Sequence, residues 1–471
     1  MVSVDVCVIG AGSGGLTVAA GASQMGASVA LIERGAMGGD CLNYGCVPSK
    51  ALLAAARAAQ AMRRADRLGL ERHDPRVDFA RVMAHVQGVI GAIAPHDSQE
   101  RFEGLGVRVI RAEARFTGPD TVEAGGETVK ARRFVIATGS APLVPPIPGL
   151  DQVPHFTNET LFANTARPAH LLVIGGGPIG LEMAQAHRRL GSAVTVVEKL
   201  TLLPKDDPEL VDVVRARLLA EGVALMEGTE LKRADATPSG VAVTVARNGG
   251  EATLAGSHLL VAMGRRANVA GLNLAAAGVA HTAQGIATDS RLRTSNRRIF
   301  AVGDVTGRFQ FTHVAGYHAG IVLRNILFRL PARVDERAVP WVTFTDPELA
   351  QVGLSEAEAR KRGGKVTVLR WPFHENDRAQ TERETEGFAK AVVDRRGRVL
   401  GASIVGAHAG ELIQPWCLAV AQGMKIGAMA QAILPYPTLG EAGKRLAGSW
   451  YAPKLFSERT RRIVRFLMRF A

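Results

Sequence analysis

Two segments of this 471-residue chain repeat one design, and that repetition limits the fold more than any other feature. Val4-Asp-Val-Cys-Val-Ile9 is a strand-like apolar run that breaks into Gly10-Ala-Gly12-Ser-Gly-Gly15. It continues as a helical pattern and returns as the strand Ser28-Val-Ala-Leu-Ile32, which ends at Glu33. Leu171-Leu-Val-Ile174 does the same through Gly175-Gly-Gly177-Pro-Ile-Gly180 and Ala193-Val-Thr-Val-Val197 to Glu198. Strand, glycine turn, helix, strand and carboxylate, in that order, form the fingerprint of a dinucleotide-binding βαβ unit. The first glycine permits the tight turn, the second lets the backbone approach a pyrophosphate, and the third lets helix and strand pack closely. The helix N-terminus then faces the phosphate charge. A carboxylate at the end of the second strand accepts both ribose hydroxyls. Two complete units predict two dinucleotides on one chain.

The remaining segments fit around these units. Phe134-Val-Ile-Ala-Thr138-Gly139 is a short strand closing on a glycine, followed by Pro142, Pro145, Pro146 and Pro148, a stiff crossing between domains. Leu259-Leu-Val-Ala-Met-Gly264 plays the same part after the second unit, and Ile299-Phe-Ala-Val-Gly303-Asp304 brings another strand to a glycine–aspartate end. Beyond Pro340 the pattern changes. Val366–Leu369, Phe388–Val393 and Leu400–Val405 read as antiparallel strands, with helices over Glu356–Arg362 and Glu411–Met424. The expected fold class is α/β, with two Rossmann-like dinucleotide-binding domains and a terminal α+β domain. The first would take residues 1–148 and 271–339, the second 149–270, and the terminal domain 340–471.

Composition excludes several classes. Hydrophobic residues make up 47% and charged residues 21%, the balance of a globular protein with a large core. No apolar stretch reaches the length of a bilayer span. The first strand begins too early to leave room for a signal segment, so a cytoplasmic location is expected. Four cysteines are too few to staple a secreted chain of this size. Cys7, in the first strand, and Cys417, in a helix-like stretch, read as buried hydrophobes. The net charge of +13 comes without a nucleic-acid recognition motif, so no nucleic-acid partner is expected. Single histidines such as His313, His374 and His408 read as structural or surface residues.

Cys41 and Cys46 are different. They stand five apart in Gly38-Gly-Asp-Cys41-Leu-Asn-Tyr-Gly-Cys46-Val-Pro48-Ser-Lys50, directly before an alanine-rich helical pattern. Pro48 suits a first helical turn, which places Cys46 near a helix N-terminus, where the dipole stabilises a thiolate. A loop this small gains little as a structural staple, so the pair reads as a redox-active disulfide. No further cysteine or histidine lies nearby to complete a zinc site, and no metal is expected.

The Cys-x4-Cys loop, both fingerprints, Ala137-Thr-Gly139, Ala301-Val-Gly-Asp304 and the terminal domain together resemble the flavoprotein disulfide reductases, the class I pyridine nucleotide-disulfide oxidoreductases. The likeness covers essentially the whole chain. It is nearest to the mercuric-reductase-like and lipoamide-dehydrogenase-like branches, through Phe344-Thr-Asp-Pro-Glu-Leu-Ala-Gln-Val-Gly353 and the Cys41 loop. The resemblance implies FAD on Gly10, Gly12, Gly15 and Glu33, with Asp304 on the ribityl chain and Gly39, Lys50, Thr138 and Gly139 among the cofactor contacts. It implies the nicotinamide nucleotide on Gly175, Gly177, Gly180, Glu198 and Gly264. Lys50 would pair with Glu182 beside the flavin. Cys46 would be the thiol against the flavin and Cys41 the one that meets substrate. The terminal domain would make a homodimer. Glu198 repels a 2′-phosphate and favours NAD(H) over NADP(H), with Lys199 and Lys205 close enough to soften the preference.

The resemblance stops at the substrate. Where the lipoamide and glutathione branches carry a His-Pro-Thr segment followed by a glutamate, this chain reads Tyr436-Pro437-Thr438-Leu-Gly-Glu441. A phenol with a pKa of about 10 is a poor base at neutral pH, so slow dithiol–disulfide exchange is expected. Tyr436 would instead donate a hydrogen bond or help hold a soft metal bound by thiolates. The mercuric branch shares the tyrosine but ends in a cysteine pair, whereas this chain ends in Ser457-Glu-Arg-Thr-Arg-Arg-Ile-Val-Arg-Phe-Leu-Met-Arg-Phe-Ala471. The expected acceptor is a small-molecule or protein disulfide or a thiol-bound soft metal, the alternatives being dihydrolipoamide or a quinone at a membrane surface. In the tail, Arg462, Arg465 and Arg469 share one helical face and Ile463, Leu467 and Phe470 another. Such a helix either packs its apolar face on its own domain or lies on an anionic membrane.

Overall fold

The computed structural model describes residues 1–470. The chain divides into two compact units, one built from residues 1–56, 76–199 and 228–335, the other from 57–75, 200–227 and 336–471.

The first unit holds both glycine motifs. Val6, Cys7, Val8 and Ile9 are all buried, as a central parallel strand covered on both faces must be. Their strand, Val2–Ile9, sits mid-sheet between Val29–Ile32 and Glu127–Ile136, parallel to both. Val107–Ile110 flanks one side, and Ile299–Ala301 pairs in parallel with Phe134–Ile136 on the other. The strand closing on Gly139 is longer than its apolar run suggests. Its polar upstream half pairs antiparallel with Thr121–Ala124 across a turn at Gly125 and Gly126, both at positive φ. A second parallel sheet sets His170–Ile174 between Ala193–Val197 and His258–Val261. Arg265–Ala267 pairs with Ser140–Pro142, so the strand ends at Gly139 and Gly264 are tied to each other.

The second unit carries an antiparallel sheet in the order Pro340–Thr343, Glu348–Gly353, Val399–Gly406, Phe388–Asp394, Val366–Pro372. Its register sets Trp341, Gln351, Ser403, Lys390 and Arg370 in one row. Lys390, 2% exposed, is held by Asp207 at 2.6 Å and Glu356 at 2.7 Å. Trp341 Nε1 donates to Asp206 at 2.7 Å, and burial pushes the Asp206 carboxyl up to about 6.

Two expectations need correction here. The stretch 411–424 forms two helices, Ala409–Leu412 and Gln414–Ala421, because Pro415 supplies no N–H to carry one helix through. Cys417 on the second is half-buried rather than part of the core, although partial burial still pushes its thiol up to about 11. Cys7 is fully buried, as expected.

Candidate active site

The two glycine turns are built alike. Gly10 and Gly175 have φ of +105° and +114°, a left-handed conformation that side chains disfavour. A Cβ on Gly15 would lie 1.9 Å from the Gly10 carbonyl oxygen, and one on Gly180 would lie 2.0 Å from that of Gly175. The middle glycines differ from these: Gly177 has nothing within 4 Å of its would-be Cβ, and Gly12 meets only the Gly39 Cα at 4.0 Å. Each turn thus has two contact-locked glycines around one that opens outward. Behind it stands a 12-residue helix, Ser13–Gln24 or Pro178–Arg189, whose first N–H groups face the opening. The carboxylates match as well. Glu33 accepts from Ala11 N at 2.6 Å, and Glu198 from Gly176 N at 2.7 Å. Cradle, helix and acidic rim fit the pyrophosphate and ribose of a dinucleotide in both places.

The thiol loop is fastened to the first cradle. Gly38 N donates to Ala11 O at 3.0 Å, Gly12 bridges Gly38, and a Cβ on Gly39 would fall 2.7 Å from the Gly12 Cα. Glycine is therefore required at Gly39 for the loop to lie this close. Cys41 sits in the short helix Gly39–Asn43, and Cys46 is the first residue of the 18-residue helix Cys46–Arg63. Pro48 falls in that helix's first turn, where its missing N–H leaves no bond broken.

The two thiols are unequal. The Cys46 thiol is brought down to about 6, chiefly by a hydrogen bond from Cys41. Thr312 Oγ1, 3.5 Å from Cys46 Sγ, and the Lys50 ammonium act in the same direction, against desolvation and the Glu182 charge. Cys41 is pushed up by the same hydrogen bond, by burial, and by the charges of Cys46 and Asp40. Lys50 Nζ lies 2.8 Å from Glu182 Oε2, and Glu182 is buried one turn into the helix behind the second cradle.

A polar chain joins these parts. Arg265 Nη2 contacts Asp40 Oδ1 at 3.1 Å, and Arg265 Nε donates to Ser140 Oγ at 2.7 Å. Ser140 Oγ in turn donates to Asp304 Oδ2 at 2.6 Å, while Asn158 Nδ2 reaches Asp40 Oδ1 at 2.9 Å. Burial raises the Asp304 carboxyl against the pull of Ser140 and Arg265. Thr138 Oγ1 donates to Asn268 O at 2.8 Å beside Gly139, whose φ is +67°, and the Gly264 carbonyl accepts from Leu143 N at 2.9 Å.

Cys41, Cys46, Lys50 and Glu182 are thus brought together, and Gly10, Gly12, Gly15, Glu33 and Gly39 form one wall beside the thiols. Tyr436 and Glu441 belong to the second unit. Tyr436 is exposed and donates its hydroxyl to Asp377 Oδ2 at 3.0 Å, a bond that raises its pKa further. His313 is exposed and stacks on Phe311. Sequence reasoning missed Thr312, Asp40, Ser140, Asn158 and Arg265. Arg265, Asp40 and Ser140 each adjoin a residue singled out for the cofactor or the thiols, whereas Thr312 adjoins only His313, which read as structural. Among the described residues, no cluster of three or more histidine, cysteine or carboxylate side chains could hold a metal, and no helix is long and apolar enough to cross a membrane.

Comparison with known proteins bears on this geometry. Residues 4–319 match the profile described as pyridine nucleotide-disulphide oxidoreductase, and residues 339–447 match the dimerisation domain of the same name. A mercuric reductase of Streptomyces lividans is 36% identical over 94% of this chain and 95% of its own length. A dihydrolipoyl dehydrogenase of Geobacillus stearothermophilus is 33% identical over 95% and 96%. Among solved structures, the HOCl-induced flavoprotein disulfide reductase RclA of Escherichia coli superposes with a TM-score of 0.85 at 29% identity, over 94% of this chain and 99% of that one. LpdA of Mycobacterium tuberculosis does so with a TM-score of 0.87 at 27% identity, over 96% and 100%.

Proposed function

Because the chain belongs to the pyridine nucleotide-disulphide oxidoreductase family, we propose that it draws electrons from NADH, through FAD, to open a Cys41–Cys46 disulfide and reduce a disulfide or a thiol-bound soft metal. Membership makes it an oxidoreductase of sulfur groups that works with FAD and a pyridine nucleotide, and its dimerisation domain supports a homodimer. The observation that carries the proposal is the pair of unequal thiols fastened against the first glycine cradle.

In this reading the first cradle takes FAD, since the thiols adjoin it, and the second takes NADH. Gly10, Gly12, Gly15 and Glu33 would hold FAD, whose chemistry when bound would be to relay the electron pair of a nicotinamide hydride to the disulfide. The chain's own residues do the rest. The hydrogen bond from Cys41, with help from Thr312, Lys50 and the helix N-terminus, holds Cys46 as a thiolate, and Glu182 keeps the Lys50 ammonium in place. Cys41 is the nucleophile once its proton passes along its hydrogen bond to the Cys46 thiolate. Its sulfur attacks a substrate disulfide, one substrate thiol leaves, and a mixed disulfide forms. Cys46 then attacks the Cys41 sulfur, re-forming the Cys41–Cys46 bond and releasing the second thiol. With Cys46 a thiolate the reduced pair carries one proton, which ends on one product thiol, and solvent supplies the proton of the other. Asp304, with Ser140 and Arg265, would hold the flavin's polyol and keep the loop at Asp40 in position.

Glu198 supports NADH over NADPH, and the Lys199 charge is spent on Glu230 at 2.7 Å. Residues 1–148 and 271–339 serve as the flavin domain, supported by the return of Ile299–Ala301 to the first sheet, with 149–270 as the nicotinamide domain and 340–471 as the dimerisation domain. A thiol pair fed by NADH suits the cytoplasm. Tyr436, with its proton held by Asp377, argues against fast exchange with dihydrolipoamide.

A stopped-flow screen of the NADH-reduced protein tests the reading, with lipoamide, oxidised glutathione, mercuric ion and a quinone as acceptors. Reoxidation by a disulfide or by mercuric ion should vanish in Cys41→Ser. Full turnover of Cys41→Ser with the quinone alone would replace this reading with a flavin quinone reductase. Rapid, saturable lipoamide turnover would overturn the role given to Tyr436.

A further inference from the structure

We propose that the C-terminal helix is a docking surface for an anionic lipid bilayer. The helix spans Glu458–Leu467 and is started by Ser457, whose side chain accepts from Thr460 N. Not one of its residues is buried. Ile463, Val464, Phe466 and Leu467 are 49% to 58% exposed, and Phe470, just beyond the helix, is 77% exposed. The alternative of an apolar face packed on its own domain is therefore not what the fold shows.

From Arg461 onward the pattern is two-sided, while Arg459 in the first turn falls within the apolar arc. At 100° per residue, Phe466, Phe470, Ile463, Leu467 and Val464 fall within one arc of the helix, and Arg461, Arg465, Arg469 and Arg462 fall on the opposite one. Phe466 and Phe470 meet edge to face with ring centroids 5.2 Å apart, an aromatic ridge within the apolar arc. Leu455 and Phe456, both exposed, extend the patch upstream.

Charge selects the occupant. Five arginines stand on Glu458–Arg469 against one carboxylate, Glu458, which is shared between Arg461 and Arg465 at 3.3 Å each. Arg459, Arg462 and Arg469 have no carboxylate partner among the described residues. A second copy of the chain would bring an equally basic helix from a molecule of net charge +13, and the arginines would repel. An anionic bilayer offers the complement to both faces: acyl chains for the ridge, and headgroup phosphates for guanidinium groups that reach out of it.

The test is co-sedimentation of the FAD-loaded protein with vesicles of phosphatidylglycerol and phosphatidylcholine, set against phosphatidylcholine alone. Binding should appear only with the anionic vesicles and weaken as salt rises. The triple variant R462Q/R465Q/R469Q should weaken it by about a hundredfold, and L467E/F470E should abolish it, with NADH oxidation unchanged in both. Should L467E/F470E fail to fold, the triple variant, altered only at exposed positions, still decides the matter. The proposal fails if anionic vesicles do not bind the protein, if neutral vesicles bind it equally, or if the triple variant binds as tightly as the parent. It also fails if L467E/F470E turns a dimer into a monomer without changing sedimentation, since the ridge would then cover a second copy.

Discussion

Thr312→Val removes one hydroxyl from the thiol site and leaves its shape almost unchanged, so it isolates a single contribution to the Cys46 thiolate. With a pKa of about 6, Cys46 is about nine-tenths ionised at pH 7, whereas an ordinary thiol near 8.5 would be only a few per cent ionised. A hydrogen bond to a charged acceptor contributes about 1.5–3 kcal/mol. Sulfur is a weak acceptor, so the 3.5 Å contact between Cys46 Sγ and Thr312 Oγ1 falls at the lower end of that range. At about 1.4 kcal/mol per pKa unit, the variant should raise the midpoint by about one unit, to about 7, and leave about half the thiol ionised at pH 7. Cys41→Ala removes the largest contribution and should raise it further. The assay is anaerobic alkylation of reduced protein by iodoacetamide across pH, with Cys46 followed by peptide mass. A midpoint unmoved in Thr312→Val, or a parent midpoint above about 8, would refute the reasoning. The sign carries over to stability. A thiol whose folded pKa is depressed stabilises the reduced protein fully above about 8.5, and that stabilisation is lost as pH falls through about 6. The oxidised protein, with no thiol at Cys46, should show no such slope.

Two further outcomes follow from other sites. Glu198→Ser should raise the ratio of NADPH to NADH turnover by about tenfold, and Glu198→Ser with Glu230→Gln should raise it again by releasing Lys199; steady-state kinetics with both nucleotides checks this, and an unchanged ratio would remove Glu198 from specificity. Asp206 carries a carboxyl raised to about 6, so its cost to the folded state is absent below about pH 4 and complete above about 6. Asp206→Asn keeps an acceptor for Trp341 and should stabilise the protein by about 1–3 kcal/mol at pH 8 but not at pH 4, read from urea denaturation at both pH values.

Both dinucleotide cradles and the thiol loop were legible in the sequence because their demands are local. A turn that needs positive φ at Gly10 and Gly175, and a third glycine that cannot carry a Cβ, leave their mark at fixed spacing along the chain. Cys41, Cys46 and the start of their helix are likewise set within a few residues. Such features depend on backbone sterics and neighbouring positions, so one strand of text contains them. The partition of charge between the two sulfurs does not. Its largest part is the local hydrogen bond from Cys41, but it also draws on Thr312, which lies 266 positions from Cys46 and arrives only when the helix Thr312–Leu327 packs beside the loop. Asp40, Arg265, Ser140 and Asp304 likewise come from four separate segments, and none of them signals the others. The terminal helix shows the same division. Its two faces were written in the periodicity of Arg462, Ile463, Arg465, Leu467, Arg469 and Phe470, but whether the apolar face would be covered was decided by tertiary packing. The fold leaves it bare, because burial is settled by what the rest of the chain brings to a surface and not by the surface itself.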